Sequence, residues 1–365
     1  MTSSEQSDIS RPALIAAPKV VLHDHLDGGL RPETLVDLGR QHGVALPSGD
    51  PTQLAAHIRA GAASGSLVRY LEPFAYTVSV MQTEPALRRV AAEAVVDLAS
   101  DGVVYAEIRF APELSTAQGL TLHQVVDAIL AGFEEGTRVA AEQGHRITAR
   151  ALLCAMRQES HSREIAELTA DYYRKGTGVV GFDIAGPEDG FPATDHAQAF
   201  EYLRECGVPV TVHAGEAAGL DSITGALDMG ARRLGHGVHL SADVEAAAGQ
   251  YRLGAVATRV ANSGVALELC PKSNVDTCAV PSLSQHPFAQ LDRAGVTVTV
   301  NTDNRLMSGT SMTDEFSRLA EGFGYGWADL HRITRNALDA AFVDGALRRR
   351  ILDEQVIPGY AELSN

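Results

Sequence analysis

The sequence is poor in cysteine and in aromatic residues. Of 365 residues, 4 are Cys and 1 is Trp, and Phe, Trp and Tyr together make up 5%. Cys154, Cys206, Cys270 and Cys278 form neither a CxxC pair nor a dense framework. That excludes a small disulfide-built scaffold and points to a reducing, cytoplasmic setting. Cys154 and Cys270 lie in apolar runs, where reduced buried thiols are common. No apolar run approaches the roughly 20 residues that a membrane-spanning helix requires, so no membrane association is expected. The opening "MTSSEQSDISRP" is polar and has no leader pattern, and residues 1–15 read as a frayed tail. Positive charge is also scarce: 30 Lys and Arg stand against 46 Asp and Glu, for a formal net charge of −16. Without a basic patch, a nucleic-acid partner is not expected. No Gly-rich phosphate loop follows an early strand, which counts against a doubly wound nucleotide fold. No repeat, low-complexity tract or Pro-rich linker divides the chain, so residues 1–365 read as one domain.

What is present is a rhythm. Hydrophobic residues make up 45% of the chain and glycine contributes 34 residues, many at the ends of apolar runs. Eight such runs recur: "KVVLH" (19–23), "VVYAEIRF" (103–110), "ITARALLCA" (147–155), "VVGFDIAG" (179–186), "VPVTVHAG" (208–215), "RRLGHG" (232–237), "GVALELC" (264–270) and "GVTVTVNTD" (295–303). Most are continuous in apolar or β-branched residues, as parallel strands covered by helices are. The sixth is weak by itself. Helical periodicity fills the gaps, for example over 84–100 and 122–144. The expected fold is therefore α/β, a (β/α)8 TIM barrel. About 80 residues separate the first two runs, and they predict a helical insertion after the first strand, over 43–100, forming part of a lid.

The reactive side chains cluster where these runs end: His23 and His25, Glu107 and Arg109, Asp183, His213 and Glu216, His236, Asp303 and Asn304. In a barrel those ends surround one cavity. His23 and His25 sit two apart, so an extended backbone turns both imidazoles to one side. An isolated HxH is more often an ordinary hydrogen-bonded pair. Here His213 and Asp303 supply partners, and a buried carboxylate such as Asp303 demands a cation or hydrogen bonds. Three imidazoles and one carboxylate suit zinc, and iron, cobalt or manganese remain open by ligand type. Glu216 and His236 are not needed as ligands and are free to move protons or to orient the ligands. Asp183 reads as a carboxylate anchoring loops, and Ser273 and Asn274 as shapers of the pocket. Lys272 reads as a surface or ion-paired residue, and Asp24 has no assigned role.

The stretches "HDHLDGGL", "YLEPF", "AEIRFAP", "LLCAMR", "GFDIAGPE", "HAGE", "LGHGVH", "LCPKSN" and "NTDN" together resemble the adenosine deaminase family of metal-dependent aminohydrolases. The resemblance implies one zinc ion per chain and hydrolysis of a purine 6-amino group. The substrate it implies is a small-molecule purine nucleoside. It implies His23, His25, His213 and Asp303 as ligands and Glu216 as the acid toward purine N1. It also implies His236 as the residue that orients and deprotonates the attacking water. On the substrate side it implies Gly186 toward N3, Asp27 toward the ribose 5′-hydroxyl, and Leu67 and Phe74 in an apolar gate. The family's usual second aspartate is Asn304 in this chain, whose amide can donate to an unprotonated N7. The chain lacks the Cys-containing HxE arrangement of the other zinc nucleobase deaminases. The resemblance leaves adenine or a modified adenosine open as substrate, along with a catalytically silent barrel.

Overall fold

A computed structural model describes residues 9–247 and 250–363. Ten strands occur among them. They are β1 (Lys19–His25), β2 (Val103–Phe110), β3 (Thr148–Met156), β4 (Val179–Ala185), β5 (Thr211–Ala214), β6 (Arg233–His236), β7 (Val244–Ala247), β8 (Gln250–Leu253), β9 (Ala266–Leu269) and β10 (Val298–Val300). Parallel pairing gives the orders β1-β2-β3-β4 and β10-β9-β6-β5. Single parallel bridges join the two sheets, Phe182 to Val210 on one side and Asp24 to Asp303 on the other. The second join is tight: His25 N donates to Asp303 O at 2.7 Å, and Asp303 N donates to His23 O at 2.9 Å. Eight parallel strands thus close into a barrel, and the weak sixth run is a true stave, paired with both β5 and β9. The antiparallel hairpin β7–β8 is an addition that the apolar pattern does not signal.

The insertion after β1 differs in extent from the sequence expectation. It contains α2 (Pro32–His42), α3 (Pro51–Ala62), α4 (Leu67–Leu71), α5 (Phe74–Val80) and α6 (Glu84–Ser100), after the short α1 (Arg11–Ala16). Of these, α6 packs against α7 (Leu122–Glu142) and β2, as a barrel helix does. Its apolar face, with Leu87, Val90, Val95 and Leu98, is buried, and the Thr83 hydroxyl caps its first turn. The α4–α5 segment instead lines the cavity at the barrel mouth, through Leu67, Tyr70, Leu71 and Phe74. Tyr70 of α4 is buried and its hydroxyl meets Ser308 Oγ at 2.9 Å, tying this segment to the short helix that follows β10.

The expected frayed tail is corrected over its second half. Arg11–Ala16 is helical, with Leu14 buried, while residues 1–8 lie outside the described residues. Just beyond it, Lys19 is fully buried, with Nζ donating to the carbonyls of Ile15, Ala17 and Asp101 at 3.2, 2.9 and 2.7 Å. Burial lowers its pKa to about 8.

The barrel interior is charged rather than apolar. On β2, Tyr105, Glu107 and Arg109 alternate inward, while Ala106, Ile108 and Phe110 join the surrounding apolar core. Arg109 pairs with Asp183 and with Glu268, the latter at 2.7 Å. Arg233 pairs with Glu107 and Glu268, each at 2.5 Å. All five side chains are fully buried. Removing one partner from such a set leaves an uncompensated buried charge, at a cost of about 3–5 kcal/mol.

Candidate metal centre and active site

Four side chains from three elements reach the mouth of the barrel. His23 and His25 come from the end of β1, His213 from β5, and Asp303 from the loop after β10. One ligand atom from each of the four lies within 4.8 Å of all the others. His25 Nε2 is 3.3 Å from His213 Nε2, and Asp303 Oδ1 is 3.3 Å from His23 Nε2 and 3.4 Å from His25 Nε2. His23 Nε2 is buried without a hydrogen-bond partner. Converging lone pairs with an orphaned buried nitrogen fit a bound cation, and an N3O donor set fits zinc.

The ligands are held from behind. His23 Nδ1 lies 2.9 Å from Glu268 Oε2, which directs its other nitrogen into the site. His213 Nδ1 lies 2.9 Å from Asp183 Oδ2. Asp183 therefore backs a ligand instead of anchoring loops, the role the sequence suggested for it. Arg109 bridges these two supporting carboxylates. Ser273 Oγ donates to Asp303 Oδ2 at 2.5 Å. Asp24 also gains a role: it binds Arg305 Nε at 2.8 Å and accepts from Thr302 Oγ1 at 2.7 Å, bracing the β1–β10 seam.

Two residues of the site have the left-handed backbone that non-glycine residues avoid: His236 at φ 63° and Asp303 at φ 57°. Such geometry costs of order 1–3 kcal/mol per residue and persists where the surroundings impose it. It turns His236 off the end of β6 toward Glu216, with Nε2 3.5 Å from Glu216 Oε2. Burial, then Asp303 and Glu188, push the Glu216 carboxyl well above its usual range. Burial holds the His236 ring well below the usual histidine range.

These groups border a cavity of about 330 Å³, within the size range of small-molecule pockets. Asp27, Leu67, Phe74, Gly186 and Asn304 all line it, together with His25, His213, Glu216, His236 and Asp303. His23 stands behind that lining, fully buried. Asp27 is pushed up to about 6, chiefly by burial. Gly186 has φ +105°, and a Cβ there would come within 2.5 Å of Gln158 Oε1. Gly28 is packed against Asn304, whose Oδ1 would lie 1.9 Å from an added Cβ. Lys272 is ion-paired with Asp276.

Three supporting residues escape a reading of the sequence. Glu188 binds the loop carrying Glu216, His286 contacts Asn274, and Glu268 backs His23. Only Glu268 leaves a trace, as a lone carboxylate in the apolar run "GVALELC".

A closed parallel barrel with a three-histidine, one-carboxylate centre at its mouth, and a buried carboxyl beside it, defines a metal-dependent hydrolase. The chain belongs to the adenosine deaminase family, whose model, described as adenosine deaminase, matches residues 18–357. An adenosine deaminase of Mycolicibacterium vanbaalenii is 55% identical over 350 residues, covering 95% of this chain and 96% of the relative. One of Mycobacteroides abscessus is 53% identical over 360 residues, covering 98% and 99%. Among solved structures, an adenine deaminase from Arthrobacter aurescens shares the fold at a TM-score of 0.81 and 24% identity, covering 95% of this chain and 99% of that one.

Proposed function

We propose that this chain is a cytoplasmic enzyme that hydrolyses the 6-amino group of adenosine and 2′-deoxyadenosine, releasing ammonia and leaving inosine or 2′-deoxyinosine. It would carry one zinc ion per chain. Four unpaired thiols support the cytoplasmic setting. The observation that carries the reading is the buried Glu216 carboxyl set 3.5 Å from His236 at the edge of the converging three-histidine, one-carboxylate cluster.

His23, His25, His213 and Asp303 would hold the zinc ion, which lowers the pKa of a bound water toward neutrality. The remaining work falls to side chains. Glu216 donates its proton to purine N1, which makes C6 electrophilic. His236 and Asp303 orient the water over C6. Addition of its oxygen gives a tetrahedral carbon bearing hydroxyl and amino groups. One water proton passes to the amino nitrogen, ammonia leaves, and the hydroxyl proton returns to Glu216 as the 6-oxo purine forms. Gly186 N–H meets N3, the Asn304 amide donates to N7, and Asp27 accepts from the 5′-hydroxyl. Leu67 and Phe74 exclude water above the base.

The test is ammonia release from adenosine, 2′-deoxyadenosine and adenine by the wild type and by Glu216→Gln, with metal content measured on both. Turnover of both nucleosides is expected, with a loss of about 10²–10⁴-fold in the variant at unchanged metal content. Adenine as the sole substrate, or near-normal turnover by the variant, overturns the reading.

A further inference from the structure

We propose that Asn274 and His286 are positioning residues that lock His236 in its Nε2–H tautomer, so that His236 donates a hydrogen bond into the pocket. The argument starts from a group whose polarity cannot be reversed. The backbone N–H of Phe288 donates to His286 Nδ1 at 3.1 Å. That nitrogen therefore carries no proton, and the His286 proton sits on Nε2. His286 Nε2 then donates to Asn274 Oδ1 at 3.1 Å.

A second backbone donor fixes the amide. Cys270 N–H also points at Asn274 Oδ1, at 3.3 Å. Two donors on one atom identify it as the oxygen, which settles which way the amide is turned. Its nitrogen is left facing His236 Nδ1 at 2.9 Å. An amide nitrogen has only hydrogens to offer, so His236 Nδ1 accepts and is unprotonated. The one remaining ring proton is on Nε2, the nitrogen that faces Glu216.

The chain is sealed from solvent: Asn274 is 0%, His236 1% and His286 5% exposed. Turning Asn274 over would set its nitrogen against both the Cys270 N–H and the His286 N–H, donor against donor in a buried site. The inference rests on the reading that places His236 beside the reacting water, and it adds the direction of that contact. An imidazole already protonated on Nε2 cannot take a proton there. It orients the water by donation and leaves Asp303 as the acceptor at that atom.

The experiment is nitrogen NMR of the metal-loaded enzyme labelled in its histidines, with His236→Asn identifying the resonances of His236. The expected spectrum shows an acceptor-type Nδ1 and a protonated Nε2. A proton on Nδ1 overturns the proposal. Asn274→Asp replaces the donor with a carboxylate, and the Nδ1 resonance should move to its protonated position. Turnover number should fall about 10–100-fold while KM for adenosine stays within about threefold. His286→Gln keeps a donor toward Asn274 and should retain most activity. An unchanged His236 spectrum and unchanged kcat in Asn274→Asp also overturn it. Should the wild type fail to deaminate adenosine, the substrate reading fails, while the resting-state spectrum still decides the tautomer.

Discussion

The carboxylate of Glu188 holds the backbone of Glu216. Its two oxygens accept the N–H groups of Gly215, Glu216, Ala217 and Ala218 at 2.6, 2.9, 2.6 and 3.0 Å, and the Ser222 hydroxyl at 2.5 Å. Burial opposes the charge, but the Ser222 and backbone donors outweigh it and hold this carboxyl below its usual range. Glu188→Gln turns an amide nitrogen toward donors. A displaced Glu216 should lower kcat on the order of 100-fold, with metal content unchanged. Steady-state kinetics and elemental analysis check this, and a kcat within twofold of wild type removes the positioning role.

Metal removal should abolish turnover reversibly. Dialysis against a chelator should lower the melting temperature, and zinc should restore both activity and stability. At a free metal concentration of a thousand times Kd, the ion contributes about 4 kcal/mol to stability. Ser273→Ala, which removes the hydroxyl bonded to Asp303 Oδ2, should weaken metal affinity about tenfold in competition with a chelator.

Acid should destabilise the fold partly through His286. Burial lowers its pKa to about 3 from the usual 6.5. Between those values the unfolded chain binds a proton that the folded chain does not, so stability falls as pH drops. The contribution is complete above pH 6.5 and is lost progressively toward pH 3, by up to several kcal/mol. His286→Gln should flatten the decline in melting temperature between about pH 6.5 and 4. Parallel curves for wild type and variant contradict the assignment.

Asn304 should act on the purine N7. Its Oδ1 is buried without a partner and is packed against Gly28. Asn304→Asp replaces a donor with an acceptor facing an acceptor. It should lower kcat/KM for adenosine by about 10–100-fold, the loss of one buried hydrogen bond. With 7-deazaadenosine, which lacks N7, the two proteins should differ little. An equal loss on both substrates would place the effect elsewhere.

The barrel was legible because its staves are short apolar runs at regular intervals. Even Arg233–His236, a stave of four residues, falls where the rhythm requires it. The four residues that converge at the barrel mouth were legible because they stand at run ends. The hairpin β7–β8 was not legible, since its alternation is partly exposed and carries no long apolar run. The division of the insertion was not legible either. Helices α4 to α6 all read simply as helical, and only packing assigns α6 to the ring and α4–α5 to the cavity wall.

The sequence by itself determined which side chains the barrel mouth can offer. Period-two and period-3.6 patterns are local properties of the chain, and they set strand ends and helix faces without tertiary information. Tertiary structure alone decided which of those side chains meet. Closing β1 against the loop after β10 brings Asp303 to His23 across 280 residues, and the same closure puts Glu268 behind that histidine. The direction of each hydrogen bond at His236 was likewise decided there. It is imposed by backbone N–H groups of Cys270 and Phe288, whose orientation exists only once the chain has folded around them.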